Sequence, residues 1–430
     1  MIVFGTETFL NLSGSMGNWL WKHSETGYDS AKGGNKLLQE ISVKETNGHR
    51  RLDNFTNGEP NSVVTIAKEL GPRFAARAAR ADEGDLFVAE NFGELKAHGL
   101  MAAGVPKEFG GFGASHAELS DMLRELGHYC GSTALAFSMH THQVTTAAWR
   151  WRHQKAPVDG LLKRVAAENI VILSSGGSDW LQGSGTATRV DGGFQINGRK
   201  IFTSGAPVGD LLMTSAVYDD SEAGPSVLHF AVPVKAEGVK ILDTWRVMGM
   251  RGTGSHDIEL TDVFIPDSGV SLKRPQGKWH PLFHIISMIA IPLIYSVYVG
   301  IAEAARDLAV KQAAKRRADG HVAYLVGGIE NGVTAVRLAL QEMIRAAATN
   351  EPGFGTTNRV MIGRALVAHG VLKTVDLAME VAGGGAFYRS VGLERLFRDV
   401  QACRYHPLQE GAQRAFTGKL ALGQDVDAAG

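Results

Sequence analysis

The chain has 430 residues, too many for one minimal domain and enough for two or three. Its 44 Lys+Arg balance 44 Asp+Glu, so the formal net charge is zero; this argues against a basic surface that binds nucleic-acid phosphates and favours self-association over a monomer kept soluble by charge. Hydrophobic content of 44% with 20% charged residues excludes disorder throughout, and 52 glycines leave many positions for close backbone approach to a ligand.

Residues 1–58 are rich in Gly, Asn and Ser with little periodicity, and are predicted to be an N-terminal extension. The opening residues lack a basic region followed by a continuous apolar run, so no signal peptide is predicted and a cytoplasmic location is expected. From 59 to 170 apolar residues recur at spacings of three and four, predicting an N-terminal helical domain punctuated by Pro106 and glycines 110, 111 and 113. Cys130 and Cys403 are the only cysteines, too few for a disulfide framework or a Cys-rich zinc site. His140 and His142 are two apart, on opposite sides of a helix, so no metal site is predicted.

Between 171 and 275 the period changes to two. An Asp-Gly-Gly turn at 191–193 and an Asn-Gly turn at 197–198 predict hairpins, hence antiparallel pairing and not a parallel dinucleotide-binding sheet. Residues 276–425 return to long helical repeats and are predicted to form a C-terminal helical bundle, with glycines 383–385 ending one helix. Ile285–Ala302 is an 18-residue uncharged run interrupted by Pro292, read as a buried core helix and not a membrane span. The fold class is therefore α+β: helical domain, central antiparallel β domain, helical bundle.

No GxGxxG, P-loop, HExxH or GxSxG motif is present. Three Gly- and hydroxyl-rich clusters lie where loops meet the β zone: ILSSGGSDW (172–180), GRKIFTSGA (198–206) and GMRGTGSHD (249–257). Each alone reads as a turn; such small residues also let backbone approach a flat ligand or phosphate.

Taken in order with HGLMAAGVPKEFGGFGAS (98–115) and VAGGGAFYRSVGLERLFRDV (381–400), these clusters resemble the acyl-CoA dehydrogenase superfamily of flavoproteins over about 59–425. The resemblance implies FAD, with FMN as the alternative, and a homotetramer. It places a flavin-contacting hydroxyl at Ser174 or Ser175 and ring-edge hydroxyls at Thr203 and Ser204. Gly383, Gly384 and Gly385 would approach the pyrophosphate. Read from the residues alone, Arg316 and Arg317 could serve a pyrophosphate or simply coat a helix end. Ser178, Arg251 and His142 fall on the substrate side.

Two departures bear on the chemistry. The loop before Gly177 is shorter than in the family and lacks its Glu-Pro pair. Where much of the family carries its catalytic glutamate, counting from Arg398-Asp399, this chain has Pro407, and Leu282–Gly300 holds no Asp or Glu at the family's other position. Glu410 is the nearest substitute base. His406 beside Pro407 resembles the superfamily's monooxygenase branch, whose members form a flavin hydroperoxide and use a histidine near it.

The resemblance thus implies oxidation of the Cα–Cβ bond of an acyl-CoA-type substrate, with electron-transfer flavoprotein as partner and Glu410 as base. The alternative is a two-component monooxygenase supplied by a flavin reductase, with His406 in the site. A third reading is a flavin-binding protein without turnover.

Overall fold

Ser62 starts the first helix of the structure by accepting a hydrogen bond from Thr65 N (3.2 Å). The computed structural model describes residues 62–427 apart from 176, 178, 179 and 223, so the expected extension at 1–58 and the Ser178 candidate lie outside the described residues. Helices α1 (Val63–Glu83), α2 (Ala89–Ala97), α3 (His116–Tyr129), α4 (Gly131–Gln154) and α5 (Asp159–Glu168) precede the sheet. Along α1 the buried residues Val63, Ala67, Leu70, Phe74 and Ala78 recur at three and four and turn one face to the core.

The start of α3 is set by a capping box: Ser115 Oγ accepts from Glu118 N (3.2 Å) and Glu118 Oε2 accepts from Ser115 N (2.8 Å). Ser115→Ala removes one of these bonds at an exposed helix end. It is expected to cost about 1 kcal/mol, read as a melting midpoint lower by about 1–2 °C; an unmoved midpoint would show that the cap contributes nothing.

Eight strands form one sheet: β1 (Ile172–Ser174), β2 (Thr186–Val190), β3 (Gly193–Lys200), β4 (Leu211–Asp220), β5 (Gly224–Pro233), β6 (Val239–Ile241), β7 (Ile258–Pro266) and β8 (Val270–Pro275). The order is β6-β7-β3-β2-β4-β5-β8, with β1 beside β4. The Asp-Gly-Gly turn joins β2 and β3 as the expected antiparallel hairpin. The sheet is mostly antiparallel, as expected, with β4 running parallel to β1 and to β2. One expectation needs correction. The Asn197-Gly198 pair makes no turn: it lies inside β3, where the register against β7 slips between Ile196 and Gly198. Asn197 there bonds Asp262 through both amide atoms (2.9 Å each), and a Cβ on Gly198 would sit 2.7 Å from Gly185 Cα. Tertiary crowding, not a reversal of the chain, selects this glycine.

After the sheet come α6 (Pro281–Ala313), α7 (Gly320–Ala348), α8 (Phe354–Ala382), α9 (Leu393–Val400) and α10 (Glu410–Ala421). Every residue of α6 from Ser287 to Ala305 is buried, because the helix packs against α3, α4, α7, α8 and α9. An all-round apolar helix has this place inside a bundle, which accounts for the uncharged run without a membrane. The backbones of α3 and α6 touch: a Cβ on Gly300 would lie 2.1 Å from Arg124 O, and one on Gly127 would lie 2.5 Å from Val297 O.

Candidate active site

A cavity of about 660 Å³ opens between the sheet, α4, α6 and the segment after α9. Two of the Gly-rich loops build one wall, zipped together by Thr203 N to His256 O (3.2 Å), Gly205 N to Thr253 O (2.9 Å) and Ala206 N to Gly254 O (3.3 Å). Such pairing requires tight backbone at Gly205 and Gly254, both with positive φ (80° and 54°). Phe202 and Trp245 add aromatic surface to that wall, and Ile286, Ile291 and Ile294 of α6 face it.

The hydroxyls expected from sequence separate here. Ser204 lines the cavity and shares a hydrogen bond with Ser255 Oγ (2.7 Å). Thr203 does not line it; its side chain is buried and donates to Lys200 O (3.4 Å). Ser174 and Ser175 both line the cavity. Ser174 Oγ is 3.4 Å from His142 Nε2, and Ser175 Oγ is 2.7 Å from Thr214 Oγ1. Gly177 also lines it. A flat, heteroatom-edged ligand such as a flavin fits this wall: hydroxyls for its polar edge, aromatic and aliphatic side chains for its faces.

His406 enters from the other side. Its Nε2 shares a 2.6 Å hydrogen bond with Tyr298 OH, and Arg364 donates to its backbone oxygen (2.9 Å). Burial and the nearby Arg364 cation push its pKa down to about 3, so the ring is neutral at working pH. His142 is likewise depressed to about 4 by burial and His140, and His229 to about 4 by burial and Arg274. His140 has a structural role: Ile172 N donates to its Nδ1 (3.0 Å) and its Nε2 bonds Met101 O (2.9 Å).

Other expected residues are not brought to the cavity. Glu410, at the first turn of α10, points away and pairs with His369 (3.1 Å) and Arg414. The His369 hydrogen bond holds its carboxyl below the usual range. Arg251 pairs with Asp85 (2.8 Å), away from the cavity lining. Arg316 donates to Val381 O at the end of α8. Gly383 and Gly384 are exposed beyond that same end, and no atom lies within 4 Å of a Cβ built on Gly383, Gly384 or Gly385. They follow Arg364, which touches His406, by 19 residues of α8, roughly 28 Å along a helix axis.

Sequence reasoning missed Ser255, Thr214, Trp245, Tyr298 and His229. Ser255 was inside a motif already singled out; Tyr298 reaches His406 across 108 residues of chain and carries no local signal. Among the described residues, no Asp or Glu lines the cavity; its charged side chains are Arg150 and Arg398. Arg398 is itself held by Asp82, Glu394 and Met248 O. No group of three or more His, Cys, Asp or Glu among those residues is placed to hold a metal.

Comparison with known proteins agrees with this geometry. Residues 64–156, 174–263 and 293–410 match, respectively, the N-terminal, middle and C-terminal domains of acyl-CoA dehydrogenases. The chain is 28% identical over 391 residues to L-evernosamine nitrososynthase of Micromonospora sp., covering 85% of this chain and 91% of that one. It is 27% identical over 373 residues to the putative acyl-CoA dehydrogenase YdbM of Bacillus subtilis, covering 80% and 92%. A solved structure of KijD3 in complex with FMN and dTDP-3-amino-2,3,6-trideoxy-4-keto-3-methyl-D-glucose superposes with a TM-score of 0.79 at 27% identity, covering 87% and 97%. Through all three of its domains, the chain belongs to the acyl-CoA dehydrogenase family of flavin-dependent oxidoreductases.

Proposed function

We propose that this chain is a flavin-dependent monooxygenase that receives reduced flavin from a separate reductase and oxygenates a small organic substrate. One observation carries the reading: no carboxylate lines the cavity among the described residues. Dehydrogenation of an acyl-CoA needs a base for the α-proton, and Glu410 is tied to His369 and Arg414 outside. The nitrososynthase and KijD3 likenesses support the same side of the choice.

When bound, reduced flavin supplies the two electrons with which O2 delivers one oxygen atom to substrate and one to water. The chain's residues do the rest. Ser204, the member of the Thr203–Ser204 pair that lines the cavity, meets the ring edge, with Ser174 or Ser175 as a second hydroxyl. The aliphatic face of α6 and the aromatic wall exclude water from the reacting edge. His406, neutral and held by Tyr298, offers a hydrogen bond there. The exposed Phe387 (88%) and Tyr388 (69%), just past the Gly383–Gly385 turn, support the homo-oligomer expectation.

Two mixing experiments test this. Oxidised flavin-loaded protein is expected to keep its visible absorbance when acyl-CoAs of several chain lengths are added without oxygen. Reduced flavin and protein mixed with oxygen are expected to give a transient near-ultraviolet band. Anaerobic bleaching by an acyl-CoA would overturn the proposal in favour of dehydrogenation.

A further inference from the structure

We infer that Ser255 and Thr253 are positioning residues that turn Ser204 into a hydrogen-bond acceptor toward the cavity, so that the site prefers reduced over oxidised flavin. The inference rests on the flavin reading above and concerns residues with no assigned role.

Four oxygens stand in a row. Thr253 Oγ1 is 2.9 Å from Met250 O, Ser255 Oγ is 2.7 Å from Thr253 Oγ1, and Ser204 Oγ is 2.7 Å from Ser255 Oγ. A carbonyl only accepts, and each hydroxyl has one hydrogen to give. Thr253 therefore donates to Met250 O, Ser255 donates to Thr253, and Ser204 donates to Ser255. The hydrogen of Ser204 is spent inside the protein, and its lone pairs face the cavity.

The opposite sense, with Thr253 donating to Ser255 and Ser255 to Ser204, keeps two of the three bonds. It also leaves Thr253 Oγ1 and Met250 O 2.9 Å apart with no proton between them. Water does not relieve that arrangement, since Thr253 is 0% and Ser255 2% exposed. The row is rigid because Trp245 Nε1 also donates to Met250 O (3.2 Å) and because Asp399 Oδ1 accepts from Met250 N. Backbone bonds between the 203–206 and 253–256 segments hold its two ends in register.

An acceptor hydroxyl discriminates between flavin redox states at the N5 edge. Oxidised flavin presents a bare N5 lone pair, which Ser204 cannot satisfy without reversing the row. Reduced flavin presents an N5 hydrogen, which Ser204 accepts with the row intact. A site fed with reduced flavin by another protein gains from this bias, because the spent cofactor leaves more readily than the fresh one.

The test is equilibrium binding of oxidised FMN and FAD, and of the same flavins reduced with dithionite under anaerobic conditions. Wild type, Ser255→Ala, Thr253→Val and Ser255→Thr are compared. Wild type is expected to bind reduced flavin more tightly. Ser255→Ala leaves Ser204 free to donate outward, and is expected to shrink the oxidised-to-reduced Kd ratio about five- to tenfold, one hydrogen bond's worth. Thr253→Val is expected to move the ratio in the same direction, while Ser255→Thr keeps it. An unchanged ratio in both Ser255→Ala and Thr253→Val, with flavin still bound, overturns the inference and spares the flavin reading. Failure of wild type to bind flavin in either state sinks that reading, and the inference with it.

Discussion

Replacing His406 by alanine is expected to shorten the life of the near-ultraviolet transient formed from reduced flavin and oxygen about 10²- to 10³-fold, the usual cost of one lost donor in a preorganised site. Flavin affinity is expected to stay close to that of wild type, since the hydroxyl wall that meets the ring is untouched. Burial raises the Tyr298 phenol well above its ordinary pKa, so Tyr298 keeps its proton, and with no other acceptor for that proton among the described residues it donates to Nε2 at 2.6 Å. That leaves the ring hydrogen on Nδ1. With its pKa down to about 3, His406 acts as a neutral hydrogen-bond donor and not as an imidazolium acid. Two consequences separate this role from general acid catalysis. His406→Gln, which keeps a neutral donor, should recover much of the lost lifetime. The wild-type lifetime should show no titration between pH 5 and 8 from this residue, because the ring is deprotonated throughout. An inflection near pH 6.5 that vanishes in His406→Gln would contradict the buried, neutral assignment. A lifetime unchanged in His406→Ala would remove the residue from the chemistry.

Much of this architecture is legible in sequence because it is local. Periods of 3.6 and 2 are imposed by each segment's own geometry, so α1, the β2–β3 hairpin and the buried α6 can be read from their own residues. Asn197-Gly198 misleads for the same reason: the pair has turn chemistry, but contacts with Asp262 and Gly185, outside the pair's own sequence, keep the chain in β3 through a bulge there. The site divides in the same way. The loops containing Ser174, Ser204 and Ser255 stand out by composition, yet which hydroxyl of Thr203 and Ser204 faces the cavity depends on strand geometry past Lys200. Spacing along the chain points to Glu410. Its direction is set by His369 on α8 and Arg414 one turn on, and neither partner is evident from that spacing. His406 was found by its place beside Pro407, whereas Tyr298, which fixes its tautomer, is a contact that only folding creates.

The largest expected loss of stability comes from Glu303→Ala, at about 3–5 kcal/mol, the cost of breaking a buried ion pair from one side. Glu303 sits on α6 and accepts from Arg124 of α3 (2.9 Å) and Arg337 of α7 (2.6 Å); Arg124 also bonds Asp121 (3.1 Å). Side-chain exposures of 4% for Arg124 and 5% for Glu303 leave little water to replace a lost partner. Glu303 bridges the two arginines: without it Arg124 keeps Asp121, but Arg337 loses the carboxylate to which it donates, which leaves excess positive charge between helices of the N- and C-terminal helical regions. For a folded unit of this size the midpoint should fall by about 4–6 °C. Burial alone would raise the Glu303 pKa, but Arg124 and Arg337 outweigh it and hold the carboxyl below its ordinary value of 4.5. A depressed carboxylate stabilises above its unfolded pKa, and that contribution fades as pH falls through the folded one. The gap in midpoint between wild type and Glu303→Ala should therefore be full at pH 6–8, begin to narrow near pH 4.5 and close only as pH falls through the lower, folded value. Replacing Asp121, Arg124, Glu303 and Arg337 together by Asn, Met, Leu and Met should recover most of the loss, since the penalty lies in the stranded charge and not in the absence of ions. Melting curves of the single and quadruple variants at pH 7.5 and through the acid range below 4.5 decide the matter: a gap that persists unchanged over that whole range would mean that Glu303 contributes through packing alone.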